Sequence, residues 1–130
     1  MAVTNFDEYR DVFVVADTID DVVHPVTYEL IGQARRIAKE LGQLVQVMLL
    51  GENVQTEAEE LVAHGADIVH VFESPLLKYY TTDGYTKVLT DFFEDHKPNI
   101  LLIGATNNGR DLAPRMSGRM QTVLLRTVLS

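Results

Sequence analysis

Apolar positions along this chain follow two alternating rhythms. Short β-branched runs, apolar almost throughout, are separated by longer stretches in which apolar residues recur every three or four positions. The first rhythm marks strands and the second helices. Asp11–Ala16 (DVFVVA) is the first predicted strand, with the unbroken apolar character of a strand covered on both faces. A loop, TIDDVVH, follows. Pro25 suits a first helical position, and Leu30, Ala34, Ile37 and Leu41 form one stripe, widened by Ile31 and Ala38, before Gly42 ends the helix. Leu44–Leu50 is the second predicted strand. Asn53 is positioned to cap a helix carrying Ala58, Leu61 and Val62, which Gly65 stops. Asp67–Phe72 is the third strand. After a Ser-Pro break, Thr82 is a candidate cap for a helix whose apolar row is Tyr85, Val88, Leu89, Phe92 and Phe93, closed by Pro98. Asn99–Ala105 (NILLIGA) is the fourth strand, and Asp111–Met120 the last helix.

Strand and helix alternate, and parallel strands need crossovers of this length. The expected architecture is therefore α/β: a three-layer open parallel sheet with helices on both faces, of the Rossmann-like or adenine-nucleotide alpha hydrolase-like kind. Five strands are expected, with the first and fourth adjacent at the centre. Ligands of such sheets bind beyond the carboxyl ends of the strands, where the strand order reverses. Two loops qualify, Asp17–His24 and Gly104–Gly109.

Composition narrows the partners. With 130 residues, 46% of them hydrophobic, the chain suffices for one domain with a real core. A formal charge of −8 argues against nucleic acid as the main partner, because phosphate backbones are bound by positive surfaces. The absence of cysteine removes disulfides and thiolate metal sites. The acidic start MAVTNFDEYRD is not a signal peptide, and no stretch reaches membrane-spanning length, so a cytoplasmic location without membrane insertion is expected.

The richest candidate chemistry lies in LLIGATNNGRDLAPRMSGRM, Leu101–Met120. Gly104 and Gly109 permit tight turning and close backbone approach. Thr106, Asn107 and Asn108 add donors and acceptors, and Arg110 adds a positive charge at the mouth. Free N–H groups at the following helix would favour an anion, a phosphate or a flavin edge. The same turn serves equally well as packing between a strand and a helix, and it matches neither a P-loop nor a dinucleotide fingerprint. His24, His64, His70 and His96 have no ligand spacing to one another, so no metal site is expected. Asp17, Asp20 and Asp21 read as solvated or capping groups before they read as paired catalytic carboxylates. Tyr85, Phe92 and Phe93 read as core.

At this point a resemblance adds to the pattern. PVTYELIGQARRIAKELG, VMLLGENV, AHGADIVHVFE, and YTTDGYTKVL followed by KPNILLIGATNNGRDLAPRMSGRM resemble the N-terminal domain of the electron-transfer flavoprotein alpha subunit, over about residues 11 to 122. The resemblance implies one subunit of a two-subunit carrier that moves electrons from dehydrogenases to an acceptor protein through FAD, and no catalytic residues of its own. It implies that FAD belongs to the complete heterodimer and not to this chain alone. The family's own flavin lies mainly in a C-terminal domain of alpha, which residues 1–130 do not include. It further implies an interface with the beta subunit, where a second flavin held by beta lies nearby in the bifurcating branch. Gly104, Thr106, Asn107, Gly109 and Arg110 match the family's loop and are the expected cofactor neighbourhood. GATNNGRDLAPR is more similar to the bacterial bifurcating and nitrogen-fixation-associated branch than to the mitochondrial one. Two competing readings stand beside it: an adenine-nucleotide-binding module of the universal-stress-protein type using the same loops for AMP or ATP, and a purely structural interface domain.

The resemblance breaks after Thr122. The family typically continues Gly-Leu-Thr-Ala-Asp-Cys-Thr, whereas this chain reads Val123-Leu124-Leu125-Arg126-Thr127-Val128-Leu129-Ser130. With codons chosen to fit, loss of one G from the family ending reproduces the whole observed tail, so a single-nucleotide slip after codon 122 is expected. Val123, Leu124 and Leu125 are still expected to supply a fifth strand.

Overall fold

The computed structural model describes residues 9–120 and the backbone of the strand at 124–128. In chain order the elements are β1 (Val12–Val15), the two-residue strands β2 (Thr18–Ile19) and β3 (Val22–Val23), α1 (Val26–Leu41), β4 (Val45–Gly51), α2 (Gln55–Ala63), β5 (Ile68–Glu73), a 3-10 turn (Pro75–Leu77), α3 (Thr82–Asp95), β6 (Ile100–Gly104), α4 (Asn107–Arg119) and β7 (Leu124–Val128). Five strands form one sheet in the order β5-β4-β1-β6-β7, and every neighbouring pair is parallel. The chain builds outward from β1 through β4 to β5, then crosses back to β6 and β7. The order thus reverses between β1 and β6, which lie side by side at the centre as expected. Leu124 and Leu125 belong to the fifth strand; Val123 lies outside the described residues.

Alternation along β1 divides the core. Val12, Val14 and Ala16 pack with Leu30, Ile31 and Ala34 of α1 and Leu61 of α2, whereas Phe13 and Val15 pack with Leu89 and Phe93 of α3 and Leu112 and Met116 of α4. All these side chains are buried. A strand with both faces covered has no polar face, which is why β1 reads as a continuous apolar run and β4 as one broken only by the buried Gln46.

Four expectations about local structure are corrected. The segment after β1 is not a plain loop: β2 and β3 pair antiparallel, Thr18 opposite Val23 and Ile19 opposite Val22, and the His24 amide donates to the Asp17 carbonyl at 2.7 Å. Asp20 and Asp21 form its turn with φ of 51° and 62°, the left-handed pair that a type I′ hairpin requires. Asn53 does not cap α2. Val54 occupies the cap position and offers no side-chain acceptor; the carboxylate of Asp21 accepts from the amides of Glu52 (2.9 Å) and Asn53 (3.1 Å), and Glu73 accepts from Val54 N (2.9 Å), so two acids from neighbouring elements hold the turn that leads into this helix. Thr81, not Thr82, caps α3, its hydroxyl accepting from Gly84 N at 3.2 Å. Helix α4 begins at Asn107 rather than Asp111, because Thr106 caps it by accepting from Gly109 N at 3.1 Å.

Candidate functional site

The β1 and β6 carboxyl ends bring Asp17 and Thr106 into contact, the Thr106 hydroxyl donating to the Asp17 carboxylate. Beside them opens a cleft of about 400 Å3, lined by Asp17, Ile19, His24, Ala105, Thr106, Asn107 and Asn108. Its walls are fixed by backbone-directed contacts. The Asp17 amide donates to the Thr27 hydroxyl at 3.0 Å, and Nδ1 of His24 accepts from Val26 N at 3.0 Å, which commits that ring nitrogen to the start of α1. The two loops singled out from the sequence therefore do face each other.

Gly104 and Gly109 do a packing job. A Cβ on Gly109 would lie 1.8 Å from the Gly104 carbonyl oxygen, so the first turn of α4 lies directly on the end of β6. A Cβ on Gly104 would meet Val26 of α1 at 3.0 Å. Both glycines are buried, Thr106 is half-buried, and Asn107 and Arg110 are exposed. Arg110 forms no ion pair among the described residues and does not line the cleft. At this helix start, part of the position a phosphate would take is met by the chain's own groups. Thr106 covers an amide, and the Asp17 carboxylate sits on Thr106, so an arriving anion would face a carboxylate.

A second polar centre lies on the α3–α4 side of the same end. Tyr85, buried, places its hydroxyl 3.2 Å from Thr18 Oγ1, with the Leu77 carbonyl at 3.2 Å and the Leu50 carbonyl at 3.4 Å as the acceptors in reach of its single proton. Thr18 donates to the same Leu50 carbonyl at 3.0 Å. Burial, with the nearby Asp17 and Asp21 carboxylates, raises the Tyr85 pKa, which keeps the phenol a neutral donor. Nearer the surface, Asp111 accepts from Tyr80 at 2.7 Å and from Thr82. Those two hydroxyls hold the Asp111 carboxyl below its ordinary pKa, while burial and the Asp111 contact push Tyr80 up. This hub is invisible to a search for spaced acid–base motifs, since Thr18, Leu50, Leu77 and Tyr85 come from four elements.

Other sequence candidates resolve structurally. Asp20 pairs with Lys78 at 3.6 Å and Asp21 holds the amides of Glu52 and Asn53, so the three loop aspartates do not converge on one point. His70 and His96 come within 6.0 Å, ring to ring, around Phe92. Among the described residues no group of three His, Cys, Asp or Glu side chains is placed to hold a metal ion. No helix among them is long and apolar enough to cross a membrane.

The model of the electron transfer flavoprotein domain matches residues 12–130. The chain belongs to the electron transfer flavoprotein family. It is 44% identical over 90% of its length to the electron transfer flavoprotein subunit alpha of Megasphaera elsdenii, and 46% identical over 89% of its length to the LctC subunit of a lactate dehydrogenase (NAD(+),ferredoxin) from Acetobacterium woodii. It covers 35% and 28% of those two proteins, about a third of the relatives' length. In fold, this electron transfer flavoprotein domain matches a universal stress protein solved with cAMP, with a TM-score of 0.56, 15% identity, and 93% and 98% of the two chains covered. At that identity the likeness confirms the Rossmann-type three-layer architecture and nothing about ligands.

Proposed function

We propose that this chain is the N-terminal domain of an electron transfer flavoprotein alpha subunit, and that its work is to build the contact with the beta subunit in a cytoplasmic FAD-dependent electron carrier. The observation that carries this choice over a nucleotide-binding module is the Asp17–Thr106 contact, which sets a carboxylate at the helix start where a phosphate would sit. In this reading FAD belongs to the assembled heterodimer, dehydrogenases donate to it, and a separate acceptor protein takes the electrons. The relatedness to LctC supports the branch that splits electrons between a low-potential carrier and a second acceptor. The flavin supplies that redox chemistry; the protein supplies position and charge.

Within the heterodimer, Gly104 and Gly109 set the backbone of the β6–α4 junction, while Thr106, Asn107 and Arg110 are the groups left to face a flavin held by beta. The exposure of Arg110, which has no carboxylate partner among the described residues, supports that role.

Titration of the chain alone with AMP, ATP and FAD tests the reading. The expected result is no saturable binding of any of the three at micromolar concentration. Tight, stoichiometric binding of AMP or ATP would instead favour the universal-stress-type module.

A further inference from the structure

Eight large apolar side chains are exposed among the described residues, and the four most exposed gather at one end. Ile19 (61%) and Val22 (67%) form a cross-strand pair on the outer face of the β2–β3 hairpin, while their neighbours Thr18 and Val23 are buried on its inner face. Leu76 (85%) and Tyr79 (64%) lie on the 3-10 turn and just after it. Two contacts join these elements into one platform. The hairpin's Thr18 and the turn's Leu77 carbonyl meet the same buried Tyr85 hydroxyl, and Asp20 at the hairpin tip pairs with Lys78 at 3.6 Å.

Monomeric proteins scatter exposed apolar residues singly; grouped ones on a rigid support mark contact surfaces. This support is rigid for identifiable reasons. Asp21 holds the hairpin against β4 through the amides of Glu52 and Asn53, and Gly51 lets its carboxylate approach, since a Cβ there would lie 2.7 Å from Asp21 Oδ1. A preorganised surface loses little conformational entropy on association. The rim carries Asp20, Asp21 and Glu52, and its cation, Lys78, is already matched to Asp20. Charge complementarity therefore asks for an occupant with an apolar centre and a Lys/Arg border.

We infer that the β2–β3 hairpin and the Pro75–Tyr79 segment together form the seat of the beta subunit, which meets it with an apolar centre and a basic border. This rests on the heterodimer reading above and adds the face that makes the contact. Ile19 also lines the cleft at the β1–β6 junction, so a subunit seated here reaches the Asp17–Thr106 pair as well. Four side chains make the centre of an interface, around which a standard interface buries about 800 Å2 per partner.

Affinity of the full chain for the beta subunit from the same source, measured by calorimetry, tests the inference. Ile19→Asp with Val22→Asp, and separately Leu76→Asp, should each weaken binding at least about tenfold. Leu41→Asp with Val62→Asp, exposed at 46% and 52% away from the platform, should leave it unchanged. Circular dichroism of each variant verifies folding, and the Leu76 variant keeps the test valid if the hairpin pair unfolds. Wild-type binding that all platform variants retain would overturn the inference and leave the heterodimer reading standing. Wild-type protein that fails to bind beta overturns both.

Discussion

Gly109 shows how one residue type supports two readings. A glycine between a strand and a helix permits either a ligand or a neighbouring backbone to come close, and sequence carries the permission without naming what uses it. Here the Gly104 carbonyl uses it. Gly109→Ala should therefore destabilise the domain by about 2–3 kcal/mol, because backbone and not a flexible side chain must move. Gly32, in mid-α1 with nothing within 4 Å of a built Cβ, is the contrast. Gly32→Ala should stabilise by about 0.5–1 kcal/mol, and thermal melts of the pair separate packing from helix propensity. Arg110 belongs to the same scale. In the assembled heterodimer, Arg110→Ala should shift a flavin midpoint potential or weaken subunit assembly through loss of an exposed positive charge. Potentials and assembly that both match wild type would remove it from the cofactor neighbourhood. The turn pair Asp20-Asp21 was harder to read, since an Asp-Asp pair signals a type I′ hairpin far more weakly than Asn-Gly does.

At the level of elements, strands and helices were legible because their apolar rhythms follow from being covered on two faces or on one. Helix starts were less so. The turn leading into α2 is held by Asp21 and Glu73, which are distant in sequence, and no local window contains that information. The Val54 amide and the Gln55 side chain hold the Glu73 carboxyl below its ordinary pKa, so its contribution is present at neutral pH and is lost only on strong acidification. His70 of β5 behaves differently. Gln46 donates to Asp11 at 2.6 Å, leaving its carbonyl to accept from His70 Nε2 at 2.6 Å, which fixes the neutral tautomer. Burial, then the charge of His96, lowers the His70 pKa. The unfolded chain consequently binds a proton at higher pH than the folded one, and stability must fall as pH drops below about 6.5 toward the lowered value. Melting temperature should decline between pH 7 and pH 5, and His70→Gln should flatten that decline. An identical slope in the variant would assign the effect elsewhere.

For the whole molecule, the three-layer parallel sheet followed from alternation and crossover length; the central β1–β6 junction was a further expectation about strand order, which the sheet bears out. What the site does was not legible that way, because the fold hosts nucleotide-binding and interface-building domains alike. The motif-bearing stretch from Lys97 to Met120 carried the family, which the match over residues 12–130 establishes. The interface reading proposed above rests on two features: a carboxylate set at the helix start by the Asp17–Thr106 contact, and an apolar platform exposed among the described residues. The central claim is thus that this domain exists to meet a partner. Sedimentation velocity of the chain mixed with the beta subunit from the same source tests it most directly. The account predicts a single 1:1 species, formed without added nucleotide. Two independently sedimenting components at micromolar concentration would contradict it.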